Sequence, residues 1–198
     1  MESLPEGLLA AWESALLKTT GAMIVLAIEG EEGEPTLLLG EGNRFRWTFG
    51  ESEPRIHLVS DGSAYFVQLS ILGRSRGKTS AVLRNNLVVG FSRLGIRGSY
   101  LACHRALRAD PDISEIDSRI SIDQYTERPV GEKGIEVSYK AHFPAFWPYT
   151  VRVEFDSQKV SPRVRVITNE VNGATSTERF TQHELDIPWA GDDFCLEV

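Results

Sequence analysis

Between Ala22 and Leu72 the chain passes through five short β-type segments with only a few residues between them. That spacing constrains the fold more than any other feature. Parallel neighbours need a crossover of a dozen or more residues, so strands joined this closely pair antiparallel, as a meander. The segments are "AMIVLAIEG", "PTLLLG", the two runs of "FRWTFGESEPRIHLVSDG" (Phe45 to Gly62) and "SAYFVQLSIL". Asp61-Gly62 is a strong hairpin signal. Alternation puts Phe45, Trp47 and Phe49 on one side of their strand. Ile56 and Leu58, then Tyr65 and Val67, continue that face on the next two.

Helical patterns stand before and after this meander. In "SLPEGLLAAWESALLKT", Ser3 and Glu6 have capping-box spacing and Pro5 suits a first turn. Leu8 or Leu9, Trp12 and Leu16 then recur at helical spacing. From Thr79 to Asp110 the spacing predicts two short helices. One carries Val82 or Leu83, Leu87 and Phe91 or Leu94; the other carries Leu101 and Leu107 and ends before Pro111. Strand patterns return in "SRISIDQYT", "GIEVSYKAHF", "TVRVEFD", "RVRVITNEV" and "TSTERFTQHEL". The expected layout is one domain over residues 1–198: helix 3–18, meander 21–72, helical insertion 79–110, second meander 118–198. The fold class is α+β, mainly antiparallel β: a single curved sheet or unclosed β-barrel with helices as a lid over its concave face.

Charge narrows the partners. A formal net charge of −7 and a pI near 5.2 argue against nucleic acid as a partner and against a polybasic membrane-surface module. Arg74, Arg76 and Lys78 cluster in "GRSRGKTS", which reads as a solvated basic loop. It is not a phosphate-binding loop, because Gly73 and Gly77 enclose three residues where four are needed. No apolar run is long enough for a transmembrane segment. With Glu2 and Glu6 in place of basic residues and Glu13 interrupting the apolar stretch, no signal peptide is expected in this N-terminal segment. The expected location is therefore periplasm or cell envelope if an export signal has been removed, and cytoplasm otherwise. Cys103 and Cys195 leave the compartment open, either as a disulfide or as two buried thiols.

Catalytic chemistry is not expected. There is no G-x-S-x-G elbow, and His57, His104, His142 and His183 are scattered with no second His at metal-ligand spacing. The acidic run "DPDISEID" reads as a solvated loop that binds calcium weakly at most, lacking the EF-hand glycine and spacing. No catalytic residue, metal or cofactor is assigned.

The run "LLLGEGNRFRWTFGESEPRIHLVSDGSAYF" resembles the early hairpins of the bacterial lipoprotein-carrier family, LolA and its relatives. Phe45, Trp47, Pro54, Leu58, Val59, Ser60, Asp61, Gly62, Tyr65 and Phe66 carry the resemblance. The run from Val151 to Val198 is similar to the family's closing meander. Together they cover the first and last thirds; Gly73 to Lys133 lies outside the match. The resemblance implies an open barrel of antiparallel strands with helices over a hydrophobic interior. In that family a basic residue just ahead of the F-x-W strand latches the lid. The corresponding positions here are Glu41 and Gly42, with Arg44 displaced toward the strand.

The expected function is non-catalytic binding of lipid or an acylated lipoprotein, for transport in the cell envelope. Trp12, Leu16, Phe45, Trp47, Phe49, Ile56, Leu58, Tyr65, Val67, Leu87 and Phe91 would line the cavity. An acyl chain of about fourteen methylenes at ~0.8 kcal/mol each gives on the order of 11 kcal/mol gross. Association costs remove much of it. Expected partners are acyl chains and a membrane-associated donor or acceptor protein. The alternative is a sensory or protein-interaction module of the same fold with a packed interior, regulating or bridging a partner.

Overall fold

The computed structural model describes residues 7–50, 56–70, 72–108, 120–143 and 147–196. The expected meander is present as β1 (Ala22–Ile28), β2 (Thr36–Leu39), β3 (Arg44–Phe49), β4 (Ile56–Asp61) and β5 (Ala64–Leu69). One strand more follows. Gly73–Lys78 is β6, hydrogen-bonded to β5 from Ala64↔Lys78 to Leu69↔Gly73, and not the basic loop that its composition suggests. Its glycines carry no β signal, so the strand is set by its partner. The Tyr65 ring lies directly across from Gly77, where a Cβ would sit 2.7 Å from it.

The second half gives β7 (Ser121–Val130), β8 (Gly134–His142), β9 (Tyr149–Asp156), β10 (Ser161–Asn169) and β11 (Thr175–Leu185). All eleven strands form a single antiparallel sheet in the order β6-β5-β4-β3-β2-β1-β11-β10-β9-β8-β7. It does not close: β6 and β7 are its two edges. The second meander ends at Leu185, short of the expected 198. Asp186 turns with φ 58°, and Pro188 lacks the N–H a strand would need. The tail instead runs to a 3-10 turn, Gly191–Phe194. Trp189 Nε1 donates to Leu39 O (2.8 Å), and Phe194 is buried against Gly40.

Two helices lie on the face carrying Phe45, Trp47 and Phe49. The first, α1 (Gly7–Lys18), buries Leu9, Trp12 and Leu16 as its spacing predicts. The expected Ser3–Glu6 capping box lies outside the described residues. Glu127 of β7 accepts from the Leu8 N–H (2.7 Å), placing an anion at the helix N-terminus. The second, α2 (Ala81–Leu107), starts at Ser80, whose side chain accepts from Leu83 N. The two expected helices are its two arms, because the backbone breaks at Leu94 (φ −141°) and Gly95 (φ 60°, ψ −143°). Gly90 and Gly98 touch across the bend: a Cβ on Gly98 would lie 1.8 Å from Gly90 O. Only residues without a Cβ permit that approach.

The sheet curves around these helices. In a flat sheet β3 and β9 would be about 24 Å apart, five steps of ~4.8 Å. Trp47 of β3 and Phe155 of β9 are nevertheless bridged by two rings, Phe91 (5.6 Å from Trp47) and Trp12 (5.7 Å from Phe155). Phe91 and Trp12 are themselves 6.0 Å apart.

Candidate binding site: a filled interior and a cavity at the tail

Register explains how the aromatic wall forms. Ile24, Leu37, Trp47, Leu58, Val67 and Ser75 are successive cross-strand partners, a row across β1 to β6. Phe45, Ser60, Tyr65 and Gly77 form the adjacent row on the same face. The structure brings together all eleven residues singled out from the sequence. Each is buried, and they belong to one contiguous hydrophobic core. Trp12 and Trp47 have no exposed surface, and both meet Phe91 edge to face. Tyr65 also donates to Ala106 O (3.0 Å), tying β5 to the second arm of α2. The Trp47 indole N–H is buried without an acceptor among the described residues.

Buried charges missed by sequence reasoning organise the same space. Arg165 of β10 is directly across from Glu178 of β11, facing the helices with no exposed surface. Its Nε donates to Glu178 Oε2 (2.7 Å), and its Nη1 to Phe91 O (2.7 Å) and Ser92 O (3.3 Å). Glu178 Oε1 accepts from Ile96 N (3.0 Å). The pair therefore fills the break in α2: a cation on the carbonyls ending the first arm, an anion on the N–H opening the second. That is the favourable sense for both helix dipoles. The guanidinium also lies 4.9 Å from the centre of the Phe91 ring.

Two further arginines act similarly. Arg93 grips Glu13 with Nε and Nη2 (both 2.9 Å) and donates to Ile120 O, while Ser92 Oγ adds a 2.6 Å bond to Glu13. Arg84 caps the end of α1 through Leu17 O (3.1 Å) and Thr19 O (3.0 Å). Burial lowers the Arg84 pKa. Arg44, near the position where the resemblance implies a latch, bonds the Asp61 carbonyl at 3.2 Å instead. Carbonyls at the end of α1 and of the first arm of α2 are held by Arg84 and Arg165.

His183 anchors α1. Trp12 Nε1 donates to its Nε2 (3.0 Å), and its Nδ1 lies 3.2 Å from Ser161 Oγ. An indole can only donate, so the imidazole is neutral with its proton on Nδ1. Burial lowers its pKa to about 4. The other sequence features are structural or peripheral. Asp61 closes the predicted hairpin, accepting from Ser63 N (2.7 Å) and Ala64 N (2.8 Å), bonds that hold its carboxyl below the usual range. Cys103 is buried and Cys195 exposed, both as free thiols; the expected alternatives of a disulfide or two buried thiols are both replaced. Burial raises the Cys103 pKa. "DPDISEID" lies outside the described residues.

A cavity of about 330 Å³ opens elsewhere, where the tail crosses the sheet. Glu41, Arg44, Asp186, Trp189 and Phe194 are among its lining residues. None of the eleven interior residues contributes to it.

No protein-family model matches the chain, and no curated protein matches it significantly. Among solved structures it is similar to MucB at 14% identity, with a TM-score of 0.45 over 96% of this chain and 62% of that one. MucB in complex with MucA(peri) also matches at 14% identity, with a TM-score of 0.38 over 95% of this chain and 59% of that one. The Pseudomonas aeruginosa MucA/MucB complex gives 14%, 0.43, 96% and 62%. The chain thus spans about six-tenths of the length of the structures it matches. No helix among the described residues is long and apolar enough to cross a membrane.

Proposed function

We propose that this domain is a non-catalytic protein-interaction module that acts through its surface, as a sensory or bridging element. The observation that carries the reading is the filled interior: Trp12 and Trp47, both without exposed surface, meet on Phe91 where an acyl chain would have to lie. Admitting a chain there requires α1 and α2 to move off the sheet, breaking the Glu13–Arg93 grip and the Arg165 and Arg84 contacts to helix carbonyls. Glu13 and Glu178 each accept from several donors, which suits them to holding helices and not to abstracting protons.

One observation favours the second reading, an envelope carrier of lipid or acylated lipoprotein. The Trp47 N–H, without an acceptor among the described residues, would find one in a ligand ester or amide carbonyl once the helices lifted. The test is lipid extraction and mass spectrometry on protein purified without detergent, followed by titration with a fluorescent long-chain fatty acid. The interaction reading expects no stoichiometric lipid and no saturable fatty-acid binding. Stoichiometric acyl lipid, or saturable binding lost in Trp47→Asp protein that remains folded, overturns it in favour of the carrier.

A further inference from the structure

The two edges of the sheet differ in a way the filled interior does not explain. At β7 a bulge between Asp123 and Thr126, Gln124 at φ 51° and Pro129 within the strand all obstruct pairing with another chain. β6 has neither bulge nor proline, and its one left-handed residue, Gly73 at φ 101°, sits at the turn end of the strand. Its register with β5 runs unbroken, and Arg74, Arg76 and Lys78 are exposed along it. Among the described residues no carboxylate pairs with these three cations, in a chain of net charge −7.

The hydrogen-bond phase adds to this. Thr79 N–H donates to Ser63 O (3.0 Å), which makes 63 and 79 a hydrogen-bonded pair. Stepping by two along the register, Gly77, Ser75 and Gly73 turn their backbone groups toward β5. Arg74, Arg76 and Lys78 turn theirs outward. The same three residues therefore offer both the free backbone ladder and the positive charge. Their side chains lie on the face of Phe66, over which the Arg76 guanidinium sits at 5.4 Å. The other face of β6 is small, with Ser75 and Gly77, and Leu72 is 44% exposed at the turn before the strand.

We propose that β6 binds an extended acidic segment of a partner protein, added antiparallel or parallel as a twelfth strand, with Asp or Glu at alternate positions beside Arg74, Arg76 and Lys78. Residues between the acidic ones face Ser75 and Gly77 and are apolar or small. A second copy of this chain is a poor occupant through β6, because pairing like edges sets these cations against one another. The proposal rests on the interaction reading above and names its surface and partner chemistry.

The test uses ¹⁵N-labelled protein and a capped ten-residue peptide alternating glutamate with valine or threonine; a lysine-for-glutamate peptide is the control. At up to millimolar concentration, the acidic peptide is expected to shift the amides of β6 and slow hydrogen exchange at Arg74, Arg76 and Lys78. Binding should weaken with salt, and the control should bind at least tenfold more weakly. Arg76→Pro removes an outward N–H and a charge but no bond to β5, and should weaken binding at least tenfold. Should that variant not fold, the Arg74→Glu, Arg76→Glu, Lys78→Glu protein takes its place with the same expectation. The proposal is overturned by absence of shifts on β6, by equal binding of the lysine peptide, or by concentration-dependent self-association that edge variants abolish. A silent edge with the fatty-acid titration also negative removes this surface alone, whereas retained acyl lipid removes the underlying reading.

Discussion

Acid should loosen this protein through His183, and the size of the effect follows from the structure. The imidazole accepts the Trp12 indole N–H and is buried, so it ionises at about 4 when folded, against ~6.5 in an unfolded chain. The native state binds fewer protons than the unfolded state between those values, so stability falls as pH falls. The contribution is fully present above pH 6.5 and is lost progressively down to pH 4. Linkage gives a loss of about 1 kcal/mol at pH 6, about 2 at pH 5 and about 3 at pH 4. A protonated ring would also turn an N–H toward Trp12 Nε1, setting donor against donor where α1 is anchored. Urea denaturation followed by circular dichroism, from pH 7.5 to 4.5, measures this directly. The control is His183→Gln, whose carbonyl can accept the indole proton without titrating. Wild type should lose about 2 kcal/mol relative to the variant between pH 7.5 and 5. A difference between the two that stays constant across that range refutes the argument.

Other outcomes follow from the buried charges and the bend. Arg165→Met leaves Glu178 buried without its counter-ion and should cost about 3–5 kcal/mol, with the Arg165→Met, Glu178→Gln protein recovering part of it in chemical denaturation. Gly95→Ala places a Cβ about 2.4 Å from Glu178 Oε1 at φ +60°, so a thermal melt should show a clear loss of stability. Trp47→Asp puts an unpaired charge into the filled interior and should abolish the folded circular-dichroism spectrum. Removing the tail anchor with Phe194→Ala should cost about 3–5 kcal/mol in urea denaturation.

The first five strands were legible because their alternation is clean and their turns are short. β6 was not, because "GRSRGK" has two glycines and three cations in six residues, and its strand conformation comes from β5 and the Tyr65 ring. The interior faces of β3 to β5 followed from alternation alone. Arg165 and Glu178 could not be found that way, since a charge in "RVRV" ordinarily faces water. Their burial depends on a break in a helix more than sixty residues away in sequence. The same holds for Trp12 and His183, whose bond joins the first described helix to the last strand. The helical spacing did locate both arms of α2, and Gly95 in the sequence marks the place where they part.

Hydrogen exchange at the Trp47 indole N–H tests most directly whether the interior is closed. It can be assigned by comparison with Trp→Phe variants and referenced to Trp147, which is 55% exposed. This proton should exchange only through global unfolding, at a free energy equal to that from denaturant titration. Exchange near the rate of Trp147 in the folded protein would mean that water reaches the space between the sheet and its helices, and would contradict the filled interior on which the proposed function rests.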